Sequence, residues 1–333
     1  MSANETNPTT SIGLDIGSSR IVIARQTEQG FAYESQLNAF VAIPHSRMTE
    51  SALSREQIPH IVEDGAIFVH GNESERFADL LQVDLRRPVM RGVLNASEPD
   101  SVKMIRQIVG SLLAEAEGQK LCFTVPAAPF AADSDLTYHE ATMRQIFEEL
   151  GYQVSCINEG LAVVYSELAD TNYTGIGVSF GGGVCNVCFS YLSLPVLSFS
   201  VTKAGDFVDA SAASVSGELA GRVRMLKEQS FVLNGHAGNK LDQALGVYYD
   251  EMIRAVVGAM KEVFAANKRA RRVIRPIPLV LSGGSTLPLG FRDRFEKILR
   301  ENELAVPMSE VRLAADPLTS TARGALVTVL SEN

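Results

Sequence analysis

Three consecutive glycines, Gly181, Gly182 and Gly183, sit between apolar runs in GIGVSFGGGVCNVCFSYLSLPVLSFSV (residues 175–201), and they constrain the fold more than any other stretch of the chain. Glycines between two strands make a turn in which the backbone can approach a bound group closely, because no Cβ intervenes and φ > 0 is permitted. Such a turn is shaped to cradle a phosphate. A second turn with the same strand–turn–strand grammar occurs in LDIGSSRIVIA (14–24), and a third, VLSGGST (280–286), runs from an apolar strand into a helix. Three such turns set far apart point to one site assembled between two halves.

The rest of the chain is consistent with two halves. Its 333 residues suit two domains of roughly 150 residues each. The first half opens with three short strands (SIGLDI, RIVIARQ, FAYESQL), passes a mixed region with a short strand at 66–71, and continues with a helix at 72–81 and a basic turn at 85–93. It then alternates helices at 100–118 and 135–150 with the strand LCFTV. In the second half, QVSCI reads as a strand, Asn158 as a helix cap, and three more strands flank the triple glycine. Helices at 207–219, 221–229 and 241–267, the strand IPLVL, and helices at 289–301 and 319–330 complete it. Strands alternating with helices indicate an α/β protein, and the repeated plan indicates an internal duplication.

Composition excludes several classes. A formal charge of −9 opposes binding to nucleic acid or to an anionic membrane surface. No run of about 18 apolar residues occurs, so no membrane-spanning helix is expected, and the first ten residues lack the features of a signal peptide. Four cysteines, Cys122, Cys156, Cys185 and Cys188, do not form a disulfide framework and fit a reducing cytoplasm.

Several residues could carry chemistry. Asp15 precedes Gly17 by two positions and is followed by Ser18 and Ser19; a carboxylate there can hold a hydrated Mg²⁺ while the turn takes phosphates, or it can close a hairpin turn. No GxxxxGK[ST] or intact GxGxxG competes for the phosphate role. Glu159 opens a helix after a strand, where it could orient a water or simply complement the helix dipole. Lys227 and Glu228 could contact a ribose and base edge or form a solvated face. Cys185 and Cys188 form a CxxC, but at i and i+3 of a strand they point to opposite faces and cannot share a metal. No HxxxH, HExxH or GxSxG supports hydrolytic metal or serine chemistry. The basic run KRARRVIR (268–275) reads as a solvated helix end or as a dock for an acidic partner.

Taken together, DIGSS, the triple glycine and LSGGST resemble, in order and spacing, the phosphate-1, phosphate-2 and adenosine motifs of the actin, Hsp70 and sugar-kinase superfamily. The resemblance spans residues 11–330. The length is similar to that of compact bacterial actins of the MreB kind. Four stretches are similar to the magnetosome-positioning MamK branch: SVTKAGDFVDA, LKEQSFV, LRRPVMRGVL and DPLTSTARGAL.

The resemblance implies an actin-like ATPase fold: two domains, each a five-stranded mixed sheet flanked by helices (a duplicated ribonuclease H-like unit), with a nucleotide cleft between them. A disordered tail at 1–10 would precede domain I at 11–145 plus 318–333, with an insertion at 34–72. Domain II would span 146–317, with an insertion at 207–260. It further implies ATP or ADP with Mg²⁺. Asp15 would hold the metal through water, Gly17, Ser18, Ser19 and Gly181 to Gly183 the phosphates, and Glu159 would orient the attacking water. Gly205 and Asp206 would approach the ribose, Lys227 and Glu228 the nucleoside, and Gly283, Gly284 and Ser285 the adenine side. The implied partners are further copies in a head-to-tail filament and a cargo or adaptor protein.

One position departs from the family. The residue two before the first glycine of phosphate-2 is usually an aspartate that helps hold metal and water, and here it is Ser179. The expectation is a cytoplasmic ATP-binding filament that positions or segregates cargo, magnetosomes being one such cargo, with slow hydrolysis. The absence of an amphipathic N-terminal segment counts against membrane attachment of the MreB type. Two further readings stay open: a non-polymerising nucleotide-dependent scaffold of the PilM kind, and a small-molecule kinase.

Overall fold

The computed structural model describes residues 11–130, 136–235 and 237–332; the expected disordered tail, Asp135 and His236 lie outside the described residues. Strand β1 (Ile12–Ile16) shows how the chain begins to build. Its alternation turns Ile12, Leu14 and Ile16 into one core and leaves Gly13 and Asp15 on the opposite face. Strands β2 (Arg20–Thr27) and β3 (Gly30–Leu37) follow it as an antiparallel meander.

The chain then leaves the sheet for an insertion: β4 (Phe40–Pro44), α1 (Arg47–Arg55), β5 (His60–Glu63), β6 (Ala66–His70) and α2 (Glu73–Leu81). Its three strands pair in the order β4-β6-β5 over a small core of Val41, Ile43, Leu53, Ile67 and Val69. Of these elements the sequence reading had β6 and α2, while β5 is half exposed and α1 buries only Leu53.

A short hairpin, β7 (Val89–Met90) and β8 (Val93–Leu94), and helix α3 (Ser101–Gly110) lead to β9 (Lys120–Val125), which lies parallel to β1. Helix α3 ends at Gly110, eight residues before the expected end, and Leu112 and Leu113 enter the core from the following turn. After α4 (Thr137–Glu149), strand β10 (Gln153–Asn158) pairs parallel with β9 and completes the order β10-β9-β1-β2-β3. QVSCI, read as the first strand of the second half, is therefore the edge of the first sheet. The crossing between sheets comes later than residue 146, through helix α5 (Glu159–Glu167).

The second sheet repeats the first. Strands β11 (Gly175–Phe180), β12 (Cys185–Tyr191) and β13 (Leu194–Val201) form an antiparallel meander, followed by α6 (Gly205–Ser216), α7 (Ala220–Ser230) and α8 (Lys240–Ala266). Then β14 (Ile277–Ser282) lies parallel to β11 and, after α9 (Phe291–Arg300), β15 (Met308–Leu313) lies parallel to β14; helix α10 (Ser320–Ser331) ends the chain. The order β13-β12-β11-β14-β15 matches that of the first sheet strand for strand. Strand β15 escaped the sequence reading because MSEVRL is partly exposed along its whole length. The SGGST stretch forms a 3-10 turn at Gly284–Thr286, and the helix expected from residue 289 begins at Phe291 as α9.

Helix α8 supplies the largest apolar stripe, with Tyr249, Met252, Ile253, Val256, Val257, Met260 and Phe264 buried at helical spacing. Fully burying one such side chain contributes roughly 1.5–3 kcal/mol. Helices α5 and α10 pack against each other between the two sheets. A Cβ at Gly324 would lie 1.9 Å from the Ala162 carbonyl oxygen, so glycine is required for their approach.

Candidate functional site

The three glycine turns converge on one cleft of about 420 Å³, and each residue singled out above for metal, phosphate, ribose or base contributes to its lining. The first two turns are copies. Gly17 N–H donates to the Arg20 carbonyl at 2.9 Å, and Gly181 N–H donates to the Val184 carbonyl at 3.1 Å, each closing the link between the first two strands of its meander. The triple glycine is not needed for φ > 0, since none of its members has a positive φ. It is needed for space: a Cβ at Gly183 would lie 2.2 Å from Ser18 Oγ, so the two turns interlock. Ser18 Oγ in turn accepts from the Gly92 N–H of the β7–β8 hairpin at 2.9 Å. Two further elements grip the second turn. Gly205 and Asp206, at the start of α6, donate their N–H groups to the Gly181 and Gly182 carbonyls at 3.0 and 2.8 Å, and Ser285 Oγ donates to the Gly181 carbonyl at 3.2 Å.

Asp15 and Glu159 line the cleft without a cationic partner among the described residues. Asp15 accepts from Thr124 Oγ1 at 2.6 Å and Thr321 Oγ1 at 2.7 Å, so it is held by β9 and α10 and does not close the hairpin turn. Burial raises its carboxyl above the ordinary value, against these two hydrogen bonds. Glu159 is the first residue of α5, placed there by Asn158, whose side chain accepts from the Gly160 and Leu161 N–H groups. Its Oε2 accepts from Ser179 Oγ at 3.3 Å and Asn186 Nδ2 at 2.8 Å. Burial and then the charge of Asp15 push it up to about 8. Two buried carboxylates that disfavour each other's ionisation, with hydroxyls around them, form a hard-oxygen donor set suited to a hydrated divalent cation. No group of three or more His, Cys, Asp or Glu among the described residues could hold a metal ion directly.

Ion pairs cross the cleft beside α6 and α7. Asp206 pairs with Arg87 at 2.6 Å, Glu228 with Arg20 at 3.7 Å, and Arg224 with Glu75. Lys227 is not a solvated-face residue: it is 7% exposed and pairs with the equally buried Asp209 at 2.7 Å. Burial raises the Asp209 carboxyl, with Lys227 opposing. Arg20, Arg87, Arg224, Asp209, Thr124, Thr321 and Asn186 were missed by sequence reasoning. Only Asn186 carried a local signal, as an amide inside an apolar strand. Outside the cleft, Cys185 and Cys188 face different cores, as the strand period requires. The basic run at 268–275 lies just beyond α8, with its lysine and arginines exposed.

Two five-stranded sheets of matching order, each opening with a glycine turn onto a shared cleft, define an actin-like ATPase fold. The chain belongs to the Volactin family, whose profile matches residues 10–329. Its structure is similar to that of a MamK double helical filament (20% identity, 97% of this chain and 99% of that chain, TM-score 0.69). It is also similar to MreB5 of Spiroplasma citri bound to ADP (13% identity, 97% of both chains, TM-score 0.67). A non-polymerising MamK mutant bound to AMPPNP is similar as well (19% identity, 98% of this chain and 100% of that chain, TM-score 0.59). No curated protein gave a significant match. Among the described residues, no helix is long and apolar enough to cross a membrane.

Proposed function

We propose that this actin-like protein binds ATP with Mg²⁺ in the cleft, assembles head to tail into cytoplasmic filaments, and uses them to position or segregate intracellular cargo, hydrolysing ATP slowly. The observation that carries the reading is convergence: Asp15, Glu159, Asp206, Lys227 and Ser285, drawn from stretches up to 270 residues apart, line one cleft with all three glycine turns. The similar structures named above support it, one as a filament and two with adenine nucleotides bound.

In this reading the turns at Gly17 to Ser19 and Gly181 to Gly183 hold the phosphates with backbone N–H groups and hydroxyls. Asp15 would hold the metal through water, and Glu159 orients the attacking water. Gly205 and Asp206 approach the ribose, Lys227 and Glu228 the nucleoside, and Gly283 to Ser285 the adenine side. Bound Mg²⁺ supplies neutralisation of phosphate charge. Ser179 adds no third carboxylate, which slows water activation.

Sedimentation and electron microscopy after adding ATP and Mg²⁺ test the proposal. Nucleotide-dependent filaments are expected. Ser179 also favours a second reading, a scaffold that binds ATP without polymerising. A monodisperse monomer in every nucleotide state, still binding ATP, would select that reading and reject the filament.

A further inference from the structure

The first two glycine turns are copies, but they are held from behind by different groups. In the second, the Gly181 and Gly182 carbonyls accept from the Gly205 and Asp206 N–H groups, which follow β13. In the first, the residue just after β3 is Asn38, and it holds the turn alone. Its main-chain N–H donates to the Ser19 carbonyl at 2.9 Å, and its Nδ2 donates to the Gly17 carbonyl at 2.9 Å. The reverse orientation of the amide would set two carbonyl oxygens against each other.

A trans peptide unit points its carbonyl and the N–H that follows to opposite sides. With the Gly17 carbonyl drawn toward Asn38, the Ser18 N–H is turned away from it. In the second turn the held Gly181 and Gly182 carbonyls turn the Gly182 and Gly183 N–H groups away from α6 in the same manner. These turn residues line the cleft, whereas Asn38 is 0% exposed and does not. The Ser18, Gly182 and Gly183 N–H groups have no hydrogen-bond partner among the described residues, which leaves them as donors for an anion.

Two observations set the Asn38 side chain apart from an ordinary junction contact. The base of the insertion, which starts at Phe40, is fastened without it: Leu37 N–H donates to Asn72 Oδ1 at 2.9 Å, Asn72 N–H to Gln36 Oε1 at 3.0 Å, and Gly71 N–H to the Ala39 carbonyl at 3.1 Å. Asn38 Oδ1, moreover, is buried with no partner among the described residues. An orphaned acceptor costs free energy and offsets much of what the Nδ2 bond contributes to stability. The amide is therefore poorly explained as a stabiliser of the fold and well explained as a donor aimed at one carbonyl.

We propose that Asn38 is a positioning residue for polyphosphate, fixing the Gly17–Ser18 peptide so that the Ser18 N–H faces the phosphates. It acts through the turn and touches no part of the ligand. This rests on nucleotide binding in the cleft.

Titration of wild type, Asn38→Ala and Asn38→Asp with ATP, inorganic tripolyphosphate and adenosine, alongside melting of the ligand-free proteins, tests the assignment. Asn38→Ala should bind ATP and tripolyphosphate about tenfold more weakly, the loss of one oriented hydrogen bond, and adenosine as wild type does. Without ligand it should melt within a few degrees of wild type, because the orphaned acceptor leaves with the donor. Asn38→Asp removes the donor at nearly constant volume and sets a carboxylate behind the turn, so it should weaken both phosphate ligands further and again spare adenosine. It carries the comparison should the alanine variant not fold. Phosphate-ligand affinity unchanged in the variants, or adenosine weakened as much as tripolyphosphate, would overturn the role of Asn38 and leave nucleotide binding standing. A wild type that binds neither ATP nor tripolyphosphate would overturn the nucleotide reading and this assignment with it.

Discussion

Ser179→Asp restores the carboxylate that related sites place before the triple glycine, and its effect should reverse sign with the metal. Ser179 Oγ lies 3.3 Å from Glu159 Oε2, both groups buried. A carboxylate at 179 would stand within about 4 Å of Glu159, where two unit charges at an effective dielectric near 20 repel by about 4 kcal/mol. Glu159 is already pushed up to about 8 by burial and Asp15, so it answers by keeping its proton, which limits the cost. The empty variant in chelator should lose on the order of 1–3 kcal/mol and melt several degrees lower than wild type. With Mg²⁺ and ATP the same three acids surround positive charge, so melting should recover and phosphate release should rise by on the order of 10²-fold. Melting in chelator and in Mg²⁺–ATP, with a phosphate-release assay, measures both effects. Ser179→Asn, of similar size and uncharged, is the control and should not accelerate release. Intact ATP binding with release no faster in the aspartate variant, or equal acceleration by asparagine, would refute the argument that the missing acid limits turnover.

Two other perturbations have defined outcomes. The Arg87–Asp206 pair is partly buried and worth about 1 kcal/mol, so Arg87→Ala should raise the open population of the empty cleft about fivefold, read as a larger radius of gyration in solution scattering. Added salt should open wild type similarly and ATP should close both; a radius unmoved by variant and salt would mean that the α5–α10 contact alone holds the halves together. His139 is buried, its Nδ1 accepts from the Leu94 N–H at 3.1 Å, and burial pushes it down to about 4 against 6.5 for a free histidine. The unfolded chain therefore takes up the proton first. Stability present above pH 6.5 should fall by about 3 kcal/mol as pH drops through 4. His139→Gln, which keeps an acceptor, should flatten that acid limb by half, since His70 is likewise pushed down to about 4; an unchanged limb in denaturant melts would contradict it.

What could be read in the sequence was what short-range geometry determines. The meanders, the glycine turns and the helix opened by Asn158 each depend on residues a few positions apart. The site residues attached to them, from Asp15 to Ser285, therefore came out in one cleft. What could not be read depends on distant partners: nothing near Arg87 announces Asp206, 119 positions away, and nothing near Gly324 announces Ala162. Strand β10 illustrates the same limit, because a parallel strand carries no mark of the sheet it joins and only its register with β9 assigns it to the first half.

The same distinction applies to Ser179. Read along the chain it is an isolated loss of an acid, but across the sheet its register partner is Asn186, and both side chains donate to one oxygen of Glu159. In β11 the alternate residues Val178 and Phe180 belong to the outer core, so the face carrying Ser179 is the one turned to α5. Two neutral donors on adjacent strands thus hold the glutamate in place where an aspartate would repel it in the absence of metal. The substitution does not leave the site unbuilt. It exchanges a carboxylate that would help activate water for hydrogen bonds that fix Glu159, an exchange expected to favour holding a nucleotide over turning it over.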